Sequence, residues 1–425
     1  MTNRLFLRCL TLTLALSALA GCAVNPVTGK KQLSLIPESQ ELSIGAEQYA
    51  PTQQTQGGQF YLDPDLTVYV REVGQKLAAV SDRPDLPYEF VVLNSSVPNA
   101  WALPGGKIAI NRGLLTRLED EAQMASVLGH EIVHAAARHS VQRMQQGMLI
   151  SAGVAGLGFA LSDNEWAGLL MGGAAMGAQL ALAQYSQGDE LESDHYGIEY
   201  MVEAGYDPQA AVELQELFVE LSEGRQSSFI DGLFASHPPS QKRVEKNRER
   251  AREIGTGGYR GKAVYDKKLA MARKLQPAYD AHDAALKLAS EKDMKGALAK
   301  VNEAIRIEPN EAMFYSLRGR IYQAQDDVAK AEKDFDKAVA LYPEMFSYRL
   351  HNGLNALKQD KLDKAQSNLT RANELVPTSI AFLRLGDVAV KQNRRDDAIR
   401  YYSTAAEAGG EVAEEAKRKL ANLTQ

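Results

Sequence analysis

Ala285, Gly319, Gly353 and Gly386 stand 34, 34 and 33 residues apart. Ala297, Ala331, Ala365 and Ala398 keep the same spacing, and so do Ala304, Ala338, Ala372 and Ala405. Pro309, Pro343 and Pro377 close successive units, with Gly410 where a fourth proline would fall. Small residues at fixed offsets let two antiparallel helices approach closely, and a proline ends the second of them. Such a segment folds by stacking each helical hairpin on the one before it.

The four landmarks in one register resemble the tetratricopeptide repeat, in four copies over residues 275–425, with "VAEEAKRKLANL" as a polar-faced capping helix. Repeats of this kind bind polypeptide segments or partner proteins and do no chemistry. The catalytic content of the chain must therefore lie ahead of them. With 425 residues in all, two or three domains are expected. "IGTGGYRGK" opens the linker, placed at residues 254–274, between the repeats and a domain at 38–253.

Within that domain "LGHEIVHAAARH" carries His130, Glu131 and His134. On a helix, residues i and i+4 lie one above the other, so both imidazoles can reach one Zn²⁺ at about 2.0–2.1 Å. Glu131 projects about 100° around the helix, beside the metal, where it can take a proton from water. The helix is predicted to start near Thr116–Glu119 with a capping box and to run to about Gln146. On that continuous helix His139 falls about 140° off the ligand face and has no role, nor have His195, His282 and His351. A zinc site needs a third protein ligand and an open fourth position. "GDELESDHYG" (188–197) offers Asp189, Glu190, Glu192 and Asp194. Glu190 and Asp194 share a helix face and Glu192 points elsewhere, but spacing does not choose between the carboxylates.

The order His-Glu-x-x-His, then Glu-x-x-x-Asp, then His-Pro-Pro resembles the HtpX-like and CAAX-prenyl-endopeptidase superfamily of zinc metallopeptidases. The resemblance implies an α+β zincin-type metalloprotease domain, mostly helical with a small sheet, followed here by an all-α tetratricopeptide-repeat solenoid. It makes Glu190 the third ligand and Asp194 a carboxylate that orients a ligand histidine. Gly197 allows close helix packing. From "SHPPSQKR" it brings His237 and Arg243 near the metal to stabilise an oxyanion, or sets His237 in the open zinc position of a resting form. "NAWALPGGKIAINRGLL" is also like the family, with the strand Lys107, Ile108, Ala109, Ile110 and Asn111 at the sheet edge beside the cleft. An extended substrate would pair there through its backbone.

The amino terminus reads as an export signal. "MTNRLFLR" is basic, "CLTLTLALSALA" is too short to span a bilayer, and Leu19-Ala20-Gly21-Cys22 resembles the bacterial lipobox. That resemblance implies removal of residues 1–21, a lipid on Cys22 and acylation of the new amino terminus. Removing Arg4 and Arg8 changes the formal charge from -6 to -8. Cys9 and Cys22 are the only cysteines, so the mature chain forms no internal disulfide and Cys22 serves as an anchor. Ala23 follows without an inner-membrane retention Asp, which points to the outer membrane, and residues 22–37 make a tether. Basic residues are scattered, which excludes nucleic acid as a partner.

Two Gly/Ala-rich apolar runs fill residues 148–183. They read as buried or cleft-covering helices, or as a mobile loop over the site, rather than as membrane spans. The layout resembles the bacterial proteases that attend outer-membrane β-barrel assembly. It implies a periplasmic, lipid-anchored zinc endopeptidase that degrades misassembled envelope proteins, its repeats contacting clients or the outer-membrane assembly machinery. The rival reading is a chaperone or assembly adaptor with a vestigial zinc fold.

Overall fold

A computed structural model describes residues 22–156, 184–223, 236–255 and 257–424, the side chains of 22, 148–156, 223 and 424 excepted. The expected signal peptide and most of the apolar 148–183 segment lie outside these residues. No described helix is long and apolar enough to cross a membrane.

The chain opens with an antiparallel hairpin of β1 (Cys22–Val24) and β2 (Lys31–Leu33), so the expected tether carries regular structure. Helix α1 (Glu38–Thr55) follows, then α2 (Pro64–Ala78). As the sequence requires, Pro64 opens α2 and the Asp63 side chain caps it by accepting from the Leu66 N–H. Its apolar stripe, Leu66, Tyr69, Val70, Val73 and Leu77, is buried against a three-stranded sheet. That sheet contains β3 (Glu89–Leu93), β4 (Ala100–Leu103) and β5 (Lys107–Asn111) in the order β3-β5-β4. Gly105 and Gly106, at φ +73° and +77°, make the turn between β4 and β5 in a region open to glycine.

The strand order corrects one expectation. Lys107–Asn111 is not at the edge: β5 pairs parallel with β3 and antiparallel with β4, and all five of its residues are buried. Both rows of its backbone groups are already engaged, so no substrate can add to it. The free edge on that side belongs to β4.

After the single turn α3 (Arg112–Leu115) comes α4 (Glu121–Ala136), the helix of the histidine motif. Its cap is Asp120, which accepts from the Gln123 N–H at 2.9 Å, rather than the Thr116 box. The helix also stops sooner than its period suggests. Arg138 adopts a left-handed φ of +64°, and a new helix, α5 (His139–Gly156), leaves in another direction. Helices α6 (Gln187–Glu203), α7 (Gln209–Glu223) and α8 (Gln241–Ile254) complete this part. Ser186 and Asp189 form a capping box on α6, and Ser240 caps α8.

Helix α4 lies directly on α6, and Gly129 faces Gly197. A Cβ on Gly129 would stand 3.0 Å from the Gly197 carbonyl oxygen, and one on Gly197 would stand 3.0 Å from the His130 nitrogen. The expected role of Gly197 in close packing has this physical form.

Beyond Ile254 the composition suggests a linker, yet the chain is built into the core. Helix α9 (Lys262–Lys268) buries Tyr265, whose hydroxyl donates to the Leu115 carbonyl at 2.7 Å. Four hairpins follow: α10 (Ala270–Ser290) with α11 (Met294–Ile307), α12 (Ala312–Ala324) with α13 (Val328–Leu341), α14 (Phe346–Lys358) with α15 (Leu362–Leu375), and α16 (Ser379–Lys391) with α17 (Arg395–Ala406). Helix α18 (Gly410–Thr424) packs on the last pair. The repeated alanines are buried at the helix crossings, and a Cβ on Gly319, Gly353 or Gly386 would meet Phe335, Leu369 or Tyr402 within 2.7 Å. Lys292, Asp326, Asp360 and Asn393 all hold a left-handed φ of 56–66° at the hairpin turns. They are a further repeat landmark, and Asp and Asn tolerate that conformation better than most residues.

Candidate metal centre

Three elements converge on one point. α4 supplies His130, Glu131 and His134, α6 supplies Glu190 and Asp194, and the stretch before α8 supplies His237, with Arg243 in that helix's first turn. All seven are buried.

Four donor atoms face one another: His130 Nε2, His134 Nε2, a Glu190 oxygen and His237 Nδ1. His130 Nε2 lies 3.0 Å from His134 Nε2 and 3.3 Å from His237 Nδ1. Glu190 Oε1 lies 3.3 Å from His134 Nε2 and 3.0 Å from His237 Nδ1. A tetrahedral zinc with bonds of about 2.0–2.1 Å spaces its ligands about 3.3–3.4 Å apart. The arrangement therefore fits such an ion, in chemistry and in size.

The protonation states fit as well. Burial drives the pKa of His134 well below the usual imidazole value, against the pull of Glu190, so the ring is a neutral ligand. Burial alone would raise Glu190, but His237, Arg243 and His130 together hold it well below the usual carboxylate range. The His130 Nδ1–H donates to Asp194 Oδ1 at 2.9 Å, which leaves its Nε2 lone pair facing the centre. Asp194, despite its burial, is held ionised chiefly by the Arg243 guanidinium. The sequence places Asp194 as an orienting carboxylate, and its position suits that task.

Arg243 lies near the donor atoms, as the family resemblance implies, and is engaged by two carboxylates. Its Nε and Nη2 each donate to Asp194 at 2.7 Å, and Nη1 lies 2.7 Å from Glu190 Oε2. Each of its three nitrogens already faces a carboxylate. His237 lies among the possible donor atoms, which is compatible with one of the two placements open to it from sequence. Its other nitrogen, Nε2, sits 3.5 Å from Glu131 Oε1. Glu131 Oε2 has no hydrogen-bond partner among the described residues, and burial raises the carboxyl's pKa against the pull of His237 and His130. That is the condition of a proton acceptor awaiting a partner.

Two contributors escape the sequence reading. His139, given no role there, sits with its Nδ1 2.9 Å from His134 Nδ1 and its Nε2 3.2 Å from Glu192 Oε1. The offset of about 140° assumes an unbroken helix; the reversal at Arg138 swings the ring back behind His134. Tyr185 stacks on His134 with ring centroids 3.6 Å apart and donates or accepts at Ser140 Oγ, 2.9 Å away. Its place just ahead of the α6 cap is the only sequence signal for it.

A narrow cavity bordered by Glu131, His130, His237 and Arg243 opens toward Ala100 on β4 and toward Val127, Leu214 and Phe218. In the β4/β5 pair Asn111 N–H donates to Asn99 O, so the bonded register positions are 99, 101 and 103. Ala100 and Ala102 consequently turn their backbone groups away from β5. Lys107–Asn111 reaches the cavity nowhere; its strand lies one place behind.

Residues 64–251 match the model of peptidase family M48, and residues 312–345 match that of the tetratricopeptide repeat. The chain is 28% identical over 234 residues to a β-barrel assembly-enhancing protease of Yersinia pestis, which covers 54% of this chain and 47% of that protein. It is 36% identical over 186 residues to the mitochondrial metalloendopeptidase OMA1 of Schizosaccharomyces pombe, covering 43% and 52% respectively. Over 170 residues it is 31% identical to metalloprotease YcaL of Escherichia coli, covering 39% and 62%. The chain thus spans about half the length of the assembly-enhancing proteases it matches.

Proposed function

From a peptidase family M48 domain joined to tetratricopeptide repeats, we propose a zinc endopeptidase of the bacterial envelope that removes misassembled polypeptides. The observation that carries the reading is the convergence of donor atoms from His130, His134, Glu190 and His237, all within 4.8 Å of one another, beside the Glu131 oxygen that has no hydrogen-bond partner among the described residues. His130, His134 and Glu190 would hold the ion, and His237 would occupy the remaining position in a resting form. Zinc, when bound, polarises the amide carbonyl and acidifies water. Glu131 accepts the proton of the attacking water and delivers it to the departing amine. Arg243 and Asp194 hold His130 and Glu190 in place, a positioning task rather than oxyanion stabilisation. His237 must swing away before substrate enters, and once displaced its imidazole is free to face the oxyanion.

The substrate strand lies along β4. Ala100 borders the cavity and its backbone groups point away from β5, so an extended chain adds there with little sequence preference. The repeats recruit clients or assembly machinery, and Cys22 anchors the protein in the periplasm at the outer membrane. Names of the relatives and the lipobox support these assignments.

Glu131→Gln tests the reading. Cleavage of an unfolded polypeptide should fall by at least about 100-fold while zinc is retained. Undiminished cleavage would remove the proposal. His237→Ala should keep the metal and raise basal cleavage; loss of both would show that His237 is needed to assemble the site rather than to close it.

A further inference from the structure

The amino-terminal hairpin carries a surface that the peptidase reading leaves unused. Its register pairs Cys22 with Leu33, Ala23 with Gln32 and Val24 with Lys31. Directly opposed residues share a face and successive residues alternate. Positions 22, 24, 31 and 33 therefore lie on one face, and 23 and 32 on the other. The second face is the one laid on the protein, where Gln142 Nε2 donates to Gln32 Oε1.

The chain beyond β2 is held by its backbone. Gln145 Oε1 accepts from the N–H groups of Leu35 and Ile36, the latter at 3.0 Å, and its Nε2 donates to the Leu33 carbonyl at 3.1 Å. Arg138 Nη2 donates to the Ile36 carbonyl at 2.7 Å. Ile36 turns inward and is buried, but its neighbours on the hairpin side turn out: Val24 is 60% exposed, Leu33 38% and Leu35 48%. These are three of the nine large hydrophobic residues exposed among the described residues, and they fall within twelve positions of one another. Lys30 and Lys31 stand beside them, both exposed.

We propose that this face is a membrane-contact surface that seats on an anionic phospholipid bilayer. Val24, Leu33 and Leu35 enter the boundary between headgroups and acyl chains, and Lys30 and Lys31 meet the lipid phosphates. The inference rests on the anchoring reading for where the bilayer lies: the Cys22 backbone pairs with Leu33, so an anchor at that position begins next to the apolar residues. An anchor on a loose tether would let the peptidase tumble, whereas a seated hairpin fixes its orientation. The same hairpin adjoins the catalytic region, because Asn25 Nδ2 donates to Glu192 Oε1 at 3.4 Å and Glu192 contacts His139 behind His134. The active site is thereby presented at a short, constant height above the lipid.

The test uses the full chain purified from membranes and mixed with vesicles of phosphatidylethanolamine and phosphatidylglycerol. A polarity-sensitive dye is attached at Val24→Cys or Leu35→Cys, or at Val390→Cys as an exposed site in the repeats. Flotation and quenching by doxyl-labelled lipid are then read together. The expected result is flotation with quenching several-fold stronger at 24 and 35 than at 390, reduced by the double change Lys30→Glu and Lys31→Glu. Flotation with equal, weak quenching at all three positions would overturn the proposal and leave the anchor intact. No flotation would overturn both.

Discussion

His134 shows how little of a metal site is contained in its motif. One face of its ring is covered by Tyr185 and its Nδ1 faces His139, which in turn faces Glu192. If Nε2 offers its lone pair to a metal, Nδ1 carries the proton and donates to His139 Nδ1, and the His139 Nε2–H then donates to Glu192. The tautomer of a ligand is set two residues away. His139→Ala should weaken zinc binding by about 10–100-fold in a chelator competition while the helical signal is unchanged. An unaltered zinc affinity would make His139 a filler of space. The convergence of His130, His134 and Glu190 was legible because helix geometry alone pairs the two histidines, and family resemblance selects the glutamate. His139 was hidden because its position depends on a backbone reversal that the sequence does not announce.

That reversal belongs to the scale of elements. Ala135-Ala136-Ala137-Arg138 has high helix propensity and contains neither Gly nor Pro, so its period runs on into α5. The stop is imposed from outside. Arg138 reaches Ile36, Ser34 and Glu41, and those contacts outweigh the cost of its left-handed backbone. Strand order was hidden for a related reason: the alternation in Lys107–Asn111 marks a strand, but only the distant partner β3 makes it central. The repeats were legible almost entirely, since each hairpin is specified within about 34 residues.

Two predictions belong here. Gly197→Ala should cost about 1–3 kcal/mol in denaturant unfolding, because the new methyl presses on the α4 backbone at His130, and zinc affinity should fall with it. Wild-type values for both would mean the two helices can separate freely. In the repeats, His351 packs against Phe335, and burial, aided by Arg320, pushes its pKa down to about 4. A depressed folded-state value means the neutral ring is favoured, so its contribution is present above about pH 6.5 and is lost as pH falls toward 4. His351→Phe should flatten the decline of thermal stability between those limits relative to wild type. An identical decline in both would rule out this residue as its source.

Across the whole molecule the repeats are not a pendant. Glu311, at the cap of α12, is fully buried and accepts from Asn94 at 2.9 Å, Tyr279 at 2.7 Å and Tyr61 at 3.2 Å. Tyr61 also stacks on Tyr342, and Arg112, at the end of β5, lies over the Tyr279 ring at 3.4 Å. A carboxylate from the second repeat thus closes the seam against the sheet that flanks the metal centre. Glu311→Ala leaves the Tyr279 phenol and the Asn94 amide without their acceptor, while Tyr61 keeps the Asn310 carbonyl. It should cost about 3 kcal/mol and split a single unfolding transition into two, read by calorimetry. One undivided transition at the wild-type midpoint would mean the seam does not couple the parts. Nothing in the residue pattern marks this seam, because the composition of 254–274 is that of a linker and an isolated glutamate is ordinarily solvated.

Metal content and cleavage measured in one sample decide whether the centre is catalytic. The purified chain should hold about one zinc, lose digestion of unfolded polypeptide when the zinc is stripped and regain it when zinc is returned. A chain that binds no metal, or that digests as fast without it, would contradict the account.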